Sequence, residues 1–205
     1  KADLVVAIGY DPIEYEASNW NKELDTEIIA IDEVQAEITN FLRPKKELIG
    51  NIAGTIQLLS ENVHEPIINQ NRLDDLERLR AEVIEATGIK YTHEDGVMHP
   101  LEIIETMQKT LTDDTTVTVD VGSHYIWMAR KFRSYNPRHL LFSNGMQTLG
   151  VALPWAISAA LVRPNTQVVS VAGDGGFLFS AQDLETAVRK NLNIIQLIWN
   201  DGKYN

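Results

Sequence analysis

The sequence contains no cysteine, which excludes disulfide bonds and thiolate metal sites. It has 18 basic residues against 29 acidic ones, and a net charge of −11 argues against a nucleic-acid or anionic-membrane surface, which needs a basic patch. No apolar run approaches the roughly 20 residues of a membrane span, and we expect no signal peptide. With 44% apolar and 23% charged residues, the chain is expected to be a globular protein of the cytoplasm.

The stretch from Gln167 to Asp201 predicts a strand, a glycine turn, a helix and a second strand. Val168–Ala172 and Ile194–Trp199 are short apolar runs typical of buried strands. Ser180 with Asp183 resembles a cap at the start of the helix between them. Strands joined by a helical crossover are parallel, so we expect their carboxyl ends to meet at one edge of a sheet.

Two acidic residues follow these strands, Asp174 after the first and Asp201 after the second. On neighbouring strands about 5 Å apart, two carboxylates repel each other unless a cation lies between them. Gly173, Gly175 and Gly176 leave room for a phosphate to approach the backbone. The stretch predicts a divalent-metal and diphosphate site. The alternative is an ordinary strand-to-helix turn.

Alternating strands and helices predict a parallel-sheet α/β fold for the whole chain. The other predicted strands are Asp3–Gly9, Thr26–Ile31, Leu48–Ile52, Val117–Val121 and Leu140–Phe142, and the other predicted helices are Val34–Phe41, Ala53–Ser60, Arg72–Thr87, one from Pro100 to Leu111, His124–Arg130 and Leu149–Leu161. The full glycine fingerprint of a dinucleotide fold is missing after Gly9. His93 and His99 are interpreted as solvated loop histidines rather than metal ligands.

Several stretches resemble one family. GDGG at 173–176, followed after the next strand by Asn200-Asp201, resembles the metal motif of thiamine diphosphate enzymes. DVGSH at 120–124 and NGMQTLG at 144–150 resemble the acetolactate synthases among them. GYDPIEY at 9–15, together with SNG at 143–145, is similar to their catabolic, FAD-independent type.

The resemblance implies a set of cofactor-binding residues. Asp174, Asp201 and the carbonyl of Lys203 would hold Mg²⁺, although the family has asparagine where this chain has Asp201. The residues implied around thiamine diphosphate are Ser123, His124, Gln147, Leu149, Gly173, Asp174, Gly175, Gly176, Asp201, Lys203, Tyr204 and Asn205. Among these, Leu149 would prop the cofactor rings into a V, and a backbone carbonyl near Gln147 would meet the aminopyrimidine. No catalytic residue is expected in this chain, because the family's activating glutamate belongs to an N-terminal domain.

The resemblance also implies a domain plan. Residues 1–63 correspond to the end of a central α/β domain, 64–99 to a linker with an amphipathic helix, and 100–205 to the thiamine diphosphate-binding domain, incomplete at its carboxyl end. We therefore expect the chain to be a piece of a longer protein and to be inactive alone. Its active site would be completed by its own N-terminal domain and a second subunit, in a homodimer or homotetramer.

The activity implied is condensation of two pyruvate molecules into 2-acetolactate with release of CO₂, through a thiamine diphosphate carbanion, in acetoin biosynthesis. No FAD, nucleic-acid or membrane partner is expected. Two alternatives remain open from the sequence. One is another thiamine diphosphate-dependent 2-keto acid decarboxylase, and the other is a non-catalytic α/β nucleotide-binding module.

Overall fold

The computed structural model describes residues 2–12, 15–63, 70–87, 97–143, 146–200 and 202. The chain divides into two compact units, Lys1–Ile89 and Lys90–Asn205. Each unit contains a sheet whose neighbouring strands are all parallel, which confirms the α/β class. Within the described ranges, no helix combines the length and the apolarity needed to cross a lipid bilayer. The domain boundaries at 63/64 and 99/100 stay a prediction.

The first unit is built on a three-stranded sheet in the order β1-β2-β3. Its elements are β1 (Leu4–Ile8), a 3₁₀ turn (Ala17–Asn19), β2 (Glu27–Asp32), β3 (Lys46–Ile49), α1 (Ile52–Asn62) and α2 (Gln70–Thr87). Asn51 caps α1, because its side-chain oxygen accepts a hydrogen bond from the Gly54 N–H at 2.8 Å. This cap moves Ile52 from the predicted strand into the helix.

The first strand is buried on one face only. Ala7 packs in a small core with Ala17, Ile28 and Leu42. Leu4, Val6 and Ile8, which alternate with the inward-facing residues, are exposed. The structure therefore confirms the strand predicted at Asp3–Gly9, but only one of its two faces is buried.

The predicted helix at Val34–Phe41 is also wrong, since the segment is irregular. The Asp32 carboxylate accepts the N–H of Glu33 at 2.6 Å and that of the following residue at 3.4 Å. Seven residues later, the Thr39 hydroxyl accepts the Leu42 N–H at 3.0 Å. These bonds satisfy backbone N–H groups locally and thus compete with a helix.

The second unit contains a four-stranded sheet in the order β5-β4-β6-β7. Its elements are α3 (Pro100–Thr110), β4 (Thr116–Val119), α4 (Ser123–Lys131), β5 (Leu140–Phe142), α5 (Ala152–Val162), β6 (Val168–Gly173), α6 (Asp174–Ser180), a 3₁₀ turn (Ala181–Asp183), α7 (Leu184–Arg189) and β7 (Ile194–Trp199). β6 and β7 pair directly, so the predicted parallel neighbours are confirmed.

Helices cover both faces of this sheet. Val117, Val119, Val169 and Val171 pack on one face with residues of α3 and α4, among them Met128. On the other face α5 packs against the sheet. There the Thr118 hydroxyl donates to the Ala152 carbonyl at 2.8 Å, and Val168 packs against Ala156 and Ala160. This burial on both sides explains the near-continuous apolar sequence of β6. The expectation of a second buried strand at Ile194–Trp199 is wrong, because Ile195 and Ile198 of β7 are exposed.

The capping of two helices differs from the sequence prediction, although α3 begins at the predicted residue. α3 begins at Pro100, and the His99 ring accepts the Leu101 N–H at 3.2 Å. His99 is thus a partly buried helix cap rather than a solvated loop residue. The helix after β6 begins at Asp174, so Ser180 ends it and makes no capping hydrogen bond.

The strand order reverses direction at β4. From β4 the chain passes through α4, on one face, to β5 at the edge. It then crosses back through α5, on the opposite face, to β6 on the other side of β4. The reversal places a topological switch point between β4 and β6. In open parallel sheets, ligands bind beyond the carboxyl ends of the strands at such a point.

Candidate functional site

Three turns meet at the carboxyl edge of β4 and β6. The first follows β4 and contains residues 120–124, the second joins β5 to α5 and contains 147–150, and the third is the junction of β6 and α6 at 173–176. The register pairs Val119 with Val171, so the first and third turns leave the sheet side by side. The second turn contacts both of the others, as the following contacts show.

The first turn is shaped by His124. Gly122 has φ +148°, and a methyl group there would lie 2.8 Å from Cε1 of His124. The ring is 2% exposed, and the same Cε1 would lie 3.4 Å from a methyl group on Gly173. The ring also lies near Trp199, with centroids 6.2 Å apart. His124 therefore packs between the first and third turns, while Ser123 beside it is exposed.

The second turn is held by two buried side chains. The Gly150 N–H lies 3.0 Å from both carboxylate oxygens of Asp120, which is fully buried. The Ser143 hydroxyl accepts the Thr148 N–H at 3.3 Å. Leu149, between these two anchored residues, is half-buried.

The backbone of this second turn is left-handed at two points. Gln147 has φ +47° and is exposed, and Gly150 has φ +82°. A non-glycine residue at positive φ is uncommon and needs surrounding contacts to hold it there. A methyl group on Gly150 would lie 2.6 Å from Cβ of Phe179 and 3.5 Å from the Gly176 carbonyl oxygen. The second turn therefore packs directly on α6.

The third turn is close-packed as well. Gly176 is buried, and a methyl group on it would lie 3.2 Å from Cγ of Asp120. Asp174 begins α6 directly after β6 and is half-buried. β7 ends at Trp199, opposite Gly173, so Asp174 and Asn200 leave the sheet at neighbouring positions.

Two of the three helices that start at this edge, α4 and α6, lack a side-chain cap at a glycine. α4 follows Gly122 and α6 follows Gly173, and neither glycine supplies a capping group. The first N–H groups of a helix need an acceptor, and together with the helix dipole they favour an anion. An anionic group at this edge would also meet Asp174, whose carboxylate repels it unless a cation intervenes. The donors and the carboxylate together fit a diphosphate bound with a divalent cation.

The described residues do not contain all the predicted ligands. Asp201, Lys203, Tyr204 and Asn205 lie outside them, as do positions 144 and 145 of the second turn. Among the residues that are described, no cluster of three or more His, Cys, Asp or Glu side chains is arranged to hold a metal ion. Of the three proposed metal ligands, Asp174 is the one that lies within the described residues.

The structure adds a residue that the sequence did not single out. Asp120 was part of the DVGSH stretch, but nothing in the sequence connected it with the N–H of Gly150, which lies 30 positions along the chain. An acidic residue directly after a buried strand was the available signal. The hydrogen-bond partner of Asp120 depends on the path of the second turn, and the spacing of apolar residues in the sequence does not reveal that path.

Comparisons with known proteins agree with this geometry. Residues 120–205, which contain all three turns, match the family of the thiamine pyrophosphate enzyme, C-terminal TPP binding domain. This segment is similar to the cofactor-binding domain of the thiamine pyrophosphate enzymes. Thiamine pyrophosphate is the diphosphate ester implied by the sequence resemblance, and the match supports it as the cofactor.

Three acetolactate synthases match the chain over most or all of its length. It is 48% identical over 204 residues to an acetolactate synthase of Bacillus subtilis (strain 168), covering 100% of this chain and 36% of that protein. It is 44% identical over 210 residues to a catabolic acetolactate synthase of Raoultella terrigena, covering 100% and 37%. A probable acetolactate synthase large subunit of Methanocaldococcus jannaschii is 27% identical over 182 residues, covering 86% and 31%. The chain thus spans about a third of the length of the curated relatives it matches.

Proposed function

We propose that the protein containing this chain is an acetolactate synthase, which condenses two pyruvate molecules into 2-acetolactate and CO₂. The main structural support for thiamine diphosphate binding is that three turns meet at the switch point between β4 and β6. The choice of reaction is supported by the identity of 48% and 44% with two acetolactate synthases along the whole chain. The catabolic type and a role in acetoin biosynthesis are supported by the second relative's name and by the GYDPIEY stretch.

The bound cofactor would stabilise the carbanion left by decarboxylation of a 2-keto acid, and the chain's part is binding and orientation. The Ser123 hydroxyl and the first N–H groups of α4 would donate hydrogen bonds to the diphosphate. Gly173, Gly175 and Gly176 would let the diphosphate come close to the backbone. His124 fixes the spacing between the first and third turns. Leu149 would support the rings, and the Gln147 carbonyl would meet the aminopyrimidine.

Magnesium is proposed as the cation. Asp174 supplies a carboxylate where the diphosphate would lie, and Mg²⁺ binds substrate phosphates through one or two carboxylates. Asp201 and the Lys203 carbonyl are the other proposed ligands, on the strength of the motif spacing. The aspartate at 201, in place of the family's asparagine, retains an oxygen and adds a negative charge.

The remaining parts of the proposal concern partners. We expect the chain's own N-terminal domain and a second subunit to complete the site, in a homodimer or homotetramer in the cytoplasm. No FAD is expected.

In the first unit, Tyr10 in the turn after β1 packs against Trp20, with ring centroids 6.1 Å apart, and this contact supports a structural role for that turn rather than a role in binding a cofactor.

The test uses the full-length protein that contains this chain. Thiamine diphosphate is titrated with and without Mg²⁺, and the products formed from pyruvate are then identified. We expect metal-dependent cofactor binding and 2-acetolactate. Acetaldehyde as the sole product would indicate a decarboxylase instead. If the cofactor does not bind in the presence of Mg²⁺, a non-catalytic module is the correct interpretation.

A further inference from the structure

Asp120 stands out because it touches all three turns and has no role in the proposed chemistry. It is fully buried at the carboxyl end of β4. Its own N–H donates to the Val171 carbonyl at 2.9 Å, which fixes its backbone to β6. Its carboxylate then reaches across to the second turn and lies against Gly176 of the third.

Both carboxylate oxygens accept backbone N–H groups. Oδ1 accepts from Val121 at 2.8 Å and from Gly150 at 3.0 Å. Oδ2 accepts from Gly150 at 3.0 Å and from Ala152 at 3.4 Å. Hydrogen bonds to a charged acceptor are roughly twice as strong as neutral ones. A buried donor that loses its acceptor is costly, so these contacts strongly constrain the second turn.

We propose that Asp120 is a positioning residue, which holds Leu149 and the Gln147 carbonyl in register with the diphosphate-binding turns. Leu149 directly precedes the anchored Gly150, and the left-handed backbone of Gln147, three residues before Gly150, persists only where surrounding contacts hold it. Since Gly176 packs on the same carboxylate, one side chain sets the distance between the turn under the rings and the turn beside the diphosphate. The proposal rests on the proposed thiamine diphosphate function.

Asp120→Asn is the informative substitution. Asparagine has nearly the same volume, so its contact with Gly176 is kept. However, the asparagine NH₂ group takes the place of one of the two carboxylate oxygens. In either orientation of the amide, this NH₂ donor faces a backbone N–H donor, and the hydrogen bond at that position is lost. We expect the second turn to shift, while Asp174 and the start of α4, which do not bond to this carboxylate, stay in place.

The matched control is Thr118→Val. Thr118 lies two residues earlier on β4, is also fully buried, and donates a hydrogen bond to the Ala152 carbonyl. Its replacement removes one buried hydrogen bond at the start of α5 and leaves the Gly150 N–H bonded. A loss of activity caused only by general destabilisation would appear in both variants.

The experiment compares the full-length holoenzyme with both variants at saturating thiamine diphosphate and Mg²⁺. A misplacement of about 1 Å can lower a rate by about a hundredfold. We expect Asp120→Asn to lower turnover between about tenfold and a hundredfold, and to slow hydrogen–deuterium exchange at the thiazolium C2 in parallel. The Kd for the cofactor should rise by a smaller factor, and Thr118→Val should change turnover and exchange by less than about twofold.

The outcomes separate this proposal from the proposed function. Wild-type protein that neither binds the cofactor nor forms acetolactate would refute the function itself. An active wild type with unchanged turnover and C2 exchange in Asp120→Asn would refute the positioning role. If Asp120→Asn does not fold, the hydrogen–deuterium exchange rates of the backbone amides of residues 147–152 are measured in the wild type, and they decide whether Asp120 anchors the second turn. Slow exchange at Gly150 is expected, and exchange as fast as in an unprotected loop would overturn the proposal.

Discussion

Gly122→Ala tests whether His124 locks the first turn. Gly122 has φ +148°, a conformation that side chains rarely adopt. The new methyl group would lie 2.8 Å from Cε1 and 2.9 Å from Nδ1 of His124, and the atoms it would meet within 4 Å all belong to that ring. Because the ring is 2% exposed, it cannot swing aside into solvent.

The expected cost has two parts. A non-glycine residue held in this backbone region costs about 1–3 kcal/mol. Overpacking against a buried ring adds about 1–3 kcal/mol. The free energy of unfolding of the second unit should therefore fall by about 2–6 kcal/mol, a large fraction of the ~5–15 kcal/mol typical of a domain.

Gly50→Ala separates the two parts. Gly50 has φ +157°, and a methyl group on it would meet no atom within 4 Å. It should therefore show the backbone cost alone, about 1–3 kcal/mol in the first unit. The double variant Gly122→Ala/His124→Ala should recover the steric part, which gives a coupling energy of about 1–3 kcal/mol.

The assay is urea unfolding of the cofactor-free full-length protein, followed by tryptophan fluorescence. In this chain, Trp127, Trp155 and Trp199 report on the second unit, and Trp20 reports on the first. The two transitions are fitted separately, since a protein of several domains does not unfold in two states. Equal costs for Gly122→Ala and Gly50→Ala, or a coupling energy of zero, would show that His124 does not lock the turn.

Three further predictions concern the cofactor. Leu149→Ala should lower turnover by at least about tenfold (~1.4 kcal/mol) while changing the cofactor Kd less, because orientation acts on the chemical step. Full turnover at saturating cofactor would contradict that role. Asp201→Ala should abolish Mg²⁺-dependent cofactor binding, measured by titration, whereas Asp201→Asn keeps an oxygen ligand and should retain it. Equal metal dependence in Asp201→Ala would remove Asp201 from the site. Finally, the absorbance spectrum of the purified full-length protein should lack a stoichiometric flavin band, and finding one would refute the FAD-independent assignment.

Much of the fold could be predicted from local patterns. The strands of the second unit are apolar runs ended by glycine or a polar residue, and β6 and β7 lie where the runs predicted them. The prediction failed where side chains bond the local backbone. Asp32 and Thr39 turn the segment at 34–41 into an irregular one, and Asn51 starts α1 earlier than its apolar pattern indicated.

The site was predictable only in part, for a topological reason. Motif spacing singled out Ser123, His124, Leu149 and Asp174, but it could not reveal that β4 lies between β5 and β6. That strand order alone creates the switch point. The burial of His124 and the anchoring by Asp120 follow from contacts between residues far apart in the sequence, so no local pattern encodes them.

The glycines at this edge are needed for different structural reasons, and the reason determines how a substitution at each position is interpreted. Gly122 makes room for His124, Gly150 for Phe179, and Gly176 for Asp120, so each is required by the protein's own packing. At Gly173, by contrast, φ is −68° and a methyl group would make only ordinary contacts, the nearest at 3.4 Å. A loss of cofactor binding after substitution at the first three positions therefore reflects a displaced turn. Among these four glycines, Gly173 alone can be replaced by a residue with a side chain without a clash or a strained backbone. If Gly173→Ala weakens cofactor binding, the reason is therefore that the new methyl group keeps the phosphate away from the backbone.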